Sequence, residues 1–133
     1  MSENTNLYSN AALAYLGDCA LELCVREYLV KEKGLSSSAK LNKEALLFVK
    51  ASKQAEAMKN ILPVLTNEET DVFHRGRNMG HSNVPRSATV AEYRSATGME
   101  ALFGWLYLSK REERIKELFR IAYRLDENDG EQL

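Results

Sequence analysis

Residues 11–24, AALAYLGDCALELC, decide how the rest of this chain is read. Only Gly17, Asp18 and Glu22 interrupt an otherwise apolar run. A helix apolar on nearly every face belongs in the middle of a domain, because only burial all round takes that much surface out of water. The two acids are the anomaly. Four residues apart, Asp18 and Glu22 share a helix face about 5–6 Å from one another, as like charges with no basic residue within a turn of Asp18. Such a pair is protonated, exposed in a cleft, or bound to a cation.

Residues 99–108, MEALFGWLYL, repeat the pattern with Glu100 as their single charge. Gly17 precedes Asp18, Gly98 stands two before Glu100, and Gly104 follows it by one turn. Glycine inside a helix costs about 1 kcal/mol relative to Ala, so these positions mark close helix approach. The two helices are therefore expected to pack together, with Asp18 and Glu100 meeting around a divalent metal. Thr97, three before Glu100, offers a hydroxyl either to that site or to its own backbone. A carboxylate site poor in His and Cys suits a hard cation, here Mg2+, which keeps several waters beside one or two carboxylates. The ordinary alternative for a lone buried acid is an ion pair with Arg or Lys from another helix.

At 133 residues the chain has room for one domain with a sizeable core. The expected span is 1–133, structured over about 6–126, with a frayed acidic tail from Asp126. MSENTNLYSN lacks the basic start and apolar run of a signal peptide, and nowhere do eighteen apolar residues follow one another. A cytoplasmic location and no membrane partner are expected. Cys19 and Cys24, five apart on one helix, point to different sides, which disfavours a mutual disulfide, and without CxxC or clustered His a zinc site is not expected.

A net charge of −1 argues against a generally basic nucleic-acid binder, but the charge is uneven. Between His74 and Met99 four arginines, Arg75, Arg77, Arg86 and Arg94, face one acid, Glu92. Basicity is thus local, as a focused binding surface needs.

Helical periods dominate and strand signals are absent, so the fold class is all-α. The first helix is expected over 10–33, ended by Gly34. One or two helices follow over 39–62, with a break near 51–52, and Pro63 closes them. Thr66 with Glu69, Thr89 with Glu92 and Ser109 with Glu112 carry the spacing of capping boxes, which predicts helices near 67–77, 90–108 and 110–125. Residues 78–88, NMGHSNVPRSA, read as an exposed loop.

AYLGDCALEL resembles the helix around Leu-Gly-Asp that marks the ribonuclease III family. With HRGRN and YRSATGMEALFGWLYL following in order, the chain resembles Mini-ribonuclease III, the small bacterial branch without a double-stranded-RNA-binding domain. The resemblance spans about 11–125. It implies a homodimeric, all-α endonuclease domain that binds Mg2+, cleaves both strands of double-stranded RNA and matures the large-subunit (23S) ribosomal RNA precursor.

Asp18 matches the family's marker Asp, and Glu100 its catalytic Glu; both are carried over as catalytic and metal-binding. The chain departs from the larger members at Ala11 and Ala14, where they have acids, and at Thr97, where they have Asp. RNA phosphates or water are left to complete the metal's shell. Glu22 has no clear catalytic counterpart and is either an outer ligand, with Thr97, or a structural partner.

A-form RNA hides its base edges in a deep, narrow groove and is read through phosphates, 2′-hydroxyls and shape. Arg75, Arg77, Arg86 and Arg94 suit phosphates, Asn78 and His81 riboses. Two-fold symmetry is the simplest way to cut both strands of a duplex. A ribosomal protein bound to the precursor is a candidate partner for affinity and site choice. Two rivals stand beside this reading. One is an all-α Mg2+-dependent nucleotide pyrophosphohydrolase, which gathers more Glu on each helix than this chain has. The other is a non-catalytic RNA-binding dimer of the same fold, which would have lost its acids.

Overall fold

The computed structural model describes residues 7–80 and 84–127, and among them there is no strand. Helix α1 runs Asn10–Glu27, started by the Ser9 hydroxyl accepting from the Ala12 N–H. It continues through a π-helical turn, Tyr28–Glu32, and the chain then turns at Gly34, whose φ of 66° suits a residue without Cβ. Ser37 caps α2 (Ser38–Val49). Lys50, extended at ψ 143°, separates α2 from α3 (Ala51–Ile61), and Pro63 sits in the 3-10 turn Leu62–Val64 that follows.

Helices α4 (Asn67–Asn78) and α5 (Val90–Leu108) begin at full capping boxes, Thr66 with Glu69 and Thr89 with Glu92. In each, the hydroxyl and the carboxylate satisfy backbone donors that the first turn leaves free. The third expected box does not form. Helix α6 spans Glu112–Ala122 with Arg111 at its N-cap and no side-chain cap bond. Ser109 instead ends α5: Lys110 takes φ 59°, and the Lys110 and Arg111 N–H groups donate back to the Tyr107 and Leu106 carbonyls. That pair of bonds is a Schellman turn, and it claims the residue the capping pattern had assigned to the next helix. The Arg111 guanidinium lies 4.7 Å from the Trp105 ring centroid, folding the connection onto the core.

The centre of the molecule is α5. Ten of its nineteen residues are buried, and α1, α3, α4 and α6 all pack on it. Helix α1 corrects the reading that opened the sequence analysis. Leu13, Gly17, Leu21 and Val25 are buried, whereas Tyr15 is 86% exposed and Leu23 and Val30 lie open. One apolar side of α1 faces the core and the other faces outward.

Glu69 serves the fold beyond its cap. It is buried, and its carboxylate accepts from Arg114 Nε and Nη2 at 2.9 and 2.8 Å as well as from the Thr66 N–H. Burial alone would raise its pKa, but the Arg114 guanidinium and the Thr66 N–H hold the carboxyl below its ordinary value. Arg114 also donates to the Val64 carbonyl, tying α6 to the start of α4.

Candidate active site

Backbone contact between α1 and α5 builds the site. A Cβ on Gly17 would strike the Glu100 carbonyl oxygen and come within 2.8 Å of the Gly104 nitrogen. One on Gly104 would strike the Leu13 carbonyl. No residue other than glycine allows helices to cross this closely.

The crossing places Asp18 against Glu100. Asp18 is exposed on its side of α1, and Glu100 is half-buried on α5. Burial first, and the Asp18 charge second, push the Glu100 carboxyl up to about 8, against a hydrogen bond from Gln54 that favours its charged form. Gln54, on α3, is 2% exposed; its Nε2 donates to the Val49 carbonyl at 3.0 Å, and its buried Oε1 has no hydrogen-bond partner. Sequence reading missed Gln54. The signal was there, because it is the one polar residue in the buried stripe Gln54, Ala57, Met58, Ile61.

Other expected residues fall at varied places. Glu22 is half-buried and pairs with Arg26 at 3.3 Å. The Thr97 hydroxyl, buried, donates to the Tyr93 carbonyl at 3.0 Å. Arg75 and Arg77 flank Gly76, which packs on Gly98 and Ala101 of α5 and thereby brings the end of α4 beside the segment carrying Glu100. Arg77 donates to Asn78 Oδ1 at 3.2 Å and stacks on Phe73, 5.7 Å from its centroid. Arg86 is exposed in the α4–α5 connection and Arg94 is exposed on α5. His81 lies outside the described residues. Both cysteines are free thiols.

A ribonuclease III domain model matches residues 11–111. The chain belongs to the ribonuclease III family. Among its relatives, the Mini-ribonuclease 3 of Brevibacillus brevis is 39% identical over 98% of this chain and 96% of its own length. That of Symbiobacterium thermophilum is 44% identical over 83% of this chain and 84% of its own. An X-ray structure of a Fusobacterium nucleatum protein shares the fold at a TM-score of 0.82 and 35% identity, covering 94% of this chain and 99% of that one.

As a ribonuclease III-type endoribonuclease, the chain has a donor set suited to a divalent cation. Two carboxylates meet, and a buried amide oxygen without a donor belongs to the residue touching one of them. All three are oxygen donors, which fits a hard metal ion. Among the described residues no group of three or more His, Cys, Asp or Glu gathers at one point. Asp18 and Glu100 are the carboxylates that would hold an ion placed here, with most of its shell left to water or substrate. The apolar groove of about 370 Å³ bounded by Leu23, Cys24, Tyr107 and Phe119 lies on the other edge of α1 and has no part in this site. No helix among the described residues is long and apolar enough to cross a membrane.

Proposed function

We propose that this chain is a Mg2+-dependent endoribonuclease that cleaves double-stranded RNA as a cytoplasmic homodimer of single-domain protomers. Its task in this reading is maturation of the 23S ribosomal RNA precursor. The observation that carries the proposal is the meeting of Asp18 and Glu100 across a glycine-lined helix crossing, where the like charge is relieved by a proton on Glu100 and would be relieved by a bound cation in its place. Mg2+ bound there would make its water a stronger nucleophile and stabilise charge on the phosphoryl oxygens. Asp18 and Glu100 would hold the ion, Glu100 in its charged form. Arg75 and Arg77 bind the phosphate backbone from the adjoining end of α4, and Arg86 and Arg94 extend that contact. Asn78 and His81 reach riboses. Glu22, engaged by Arg26, and Thr97, engaged by Tyr93, act as structural neighbours rather than as outer ligands.

Support for the homodimer is the bare outer side of α1, where Tyr15, Leu23 and Val30 stand exposed after Leu7 and Tyr8 at the helix entry. Apolar surface gathered in this way marks an interface. A two-fold axis through this side would repeat the acidic site on each protomer, one for each strand.

Cleavage of labelled duplex RNA with Mg2+ tests the reading, with Asp18→Asn and Glu100→Gln beside wild type. Both variants are expected to bind RNA in EDTA as wild type does and to cut it slower by on the order of 10²–10³-fold. Undiminished cutting by either removes that residue from the mechanism. Sedimentation is expected to give a dimer that Tyr15→Glu converts to monomer; a monomeric wild type overturns the assembly. Protein-free 23S precursor should be cut at the mature ends, faster once its ribosomal proteins are bound; an unchanged rate and position count against a ribosomal-protein partner.

A further inference from the structure

Gln54 is the one polar residue in the buried stripe of α3, and its bond to the Val49 carbonyl uses only one end of its amide. Its neighbours in the same stripe, Ala57, Met58 and Ile61, are apolar and buried. A Leu or Met would fill the position without burying an amide, and a buried acceptor left without a donor is a cost that native folds rarely accept away from functional positions. The two ends of the side chain are used unequally. The nitrogen donates to the Val49 carbonyl, at the C-terminus of α2 where Lys50 breaks the helix, and across the α3–α5 contact the amide lies beside the Glu100 carboxylate, where it favours the charged form. The oxygen is left bare.

We propose that Gln54 is a positioning residue for the active centre, its amide braced on the Val49 carbonyl and holding the Glu100 carboxylate in place opposite Asp18. This rests on the proposed role of Glu100. Once both carboxyls are charged, Asp18 repels Glu100, and a carboxylate that must then hold an ion with only one protein partner has few contacts to fix its rotamer. A neutral donor supplies direction without placing a competing positive charge in the site, as an Arg or Lys would. The break at Lys50 matters for the same reason: it frees the Val49 carbonyl as a fixed anchor, so that the amide cannot swing away from Glu100. Orienting partners of this kind are commonly worth about 10–100-fold in metal affinity or activity.

The test uses Gln54→Met, which keeps the length and removes the amide, and Gln54→Asn, which keeps the amide but is a methylene too short to reach both partners. Three quantities are measured on each: kcat and KM for duplex RNA with Mg2+, RNA affinity in EDTA, and binding of Mn2+ alone to the RNA-free protein. For Gln54→Met, kcat and Mn2+ affinity are each expected to fall by roughly tenfold or more, with KM and RNA affinity within about twofold of wild type. Gln54→Asn should fall between the two, and raised Mg2+ should restore part of its rate. Wild-type kcat and Mn2+ affinity in a folded Gln54→Met overturns the proposal. So does a loss of rate that simply follows the folded fraction on thermal melting, because that is what a packing role predicts. If Gln54→Met does not fold, Gln54→Asn decides by the same two readouts. Failure of this inference and of the nuclease reading are separable: normal cutting by Asp18→Asn and Glu100→Gln defeats the latter. Lost cutting in those two with an unaffected Gln54→Met defeats only the former.

Discussion

Glu69 and Glu100 are both drawn into the body of the protein, and the fold treats them in opposite ways. Glu69 receives a fork of two bonds from Arg114 and one from the backbone, and its carboxyl is held below the ordinary range. Glu100 receives another acid and one neutral amide, and its carboxyl is pushed up to about 8. Had the fold needed only to satisfy an acid, the Arg114 arrangement shows how it does so. In the function proposed here, the difference separates an acid kept for architecture from one left with capacity for an outside cation.

The comparison breaks most visibly if Arg114 is removed. Arg114→Met should destabilise the protein by about 3–5 kcal/mol in urea unfolding, because Glu69 is then buried without its counter-charge. Adding Glu69→Gln should recover much of that loss. A small effect of Arg114→Met alone would mean that Glu69 is less dependent on its partner than the geometry implies.

Next in size is a pH effect of opposite sign at the two acids. For Glu100 the folded value lies above the unfolded 4.5, so its contribution to stability is full below pH 4.5 and is lost as pH rises toward 8. For Glu69, held low, the contribution is present above the unfolded value and is lost as pH falls through the folded one. Metal-free Glu100→Gln should therefore gain about 1–3 kcal/mol over wild type at pH 8 and almost nothing at pH 4. Equal stabilities at pH 8 would remove the like-charge conflict from the site. The smallest effect is expected at Glu22, whose exposed neighbour Arg26 already answers its charge. Glu22→Gln should change stability by about 0.3–0.5 kcal/mol and the cleavage rate by less than twofold. A larger loss of rate would return Glu22 to the metal's surroundings.

The sequence disclosed what is local. Thr66 with Glu69 and Thr89 with Glu92 were readable because a capping box needs only four consecutive residues. Ser109 with Glu112 has the same spacing and failed, because the left-handed Lys110 and the stacking of Arg111 on Trp105 end α5 first. The meeting of Asp18 and Glu100 was legible through the glycines beside them, since intolerance of a Cβ at Gly17 and Gly104 reports a neighbour. Pairings that depend on which helices become adjacent were hidden. Glu69 with Arg114, 45 residues apart, and Gln54 with Glu100 leave no trace in spacing, although a lone amide in an apolar stripe was a hint. The exposed side of α1 was also misjudged, because an apolar run does not say whether its second face is covered by the same chain.

Main chain lies on main chain where Gly17 meets Glu100 and Gly104 meets Leu13, so the spacing of the two acids is set by atoms every sequence shares. Leucines and phenylalanines elsewhere in the interior can be exchanged for apolar residues of similar volume while that spacing stays constant. Efforts to make the protein hardier therefore have most of the interior to work with, provided two residues that carry no side chain at all are left alone.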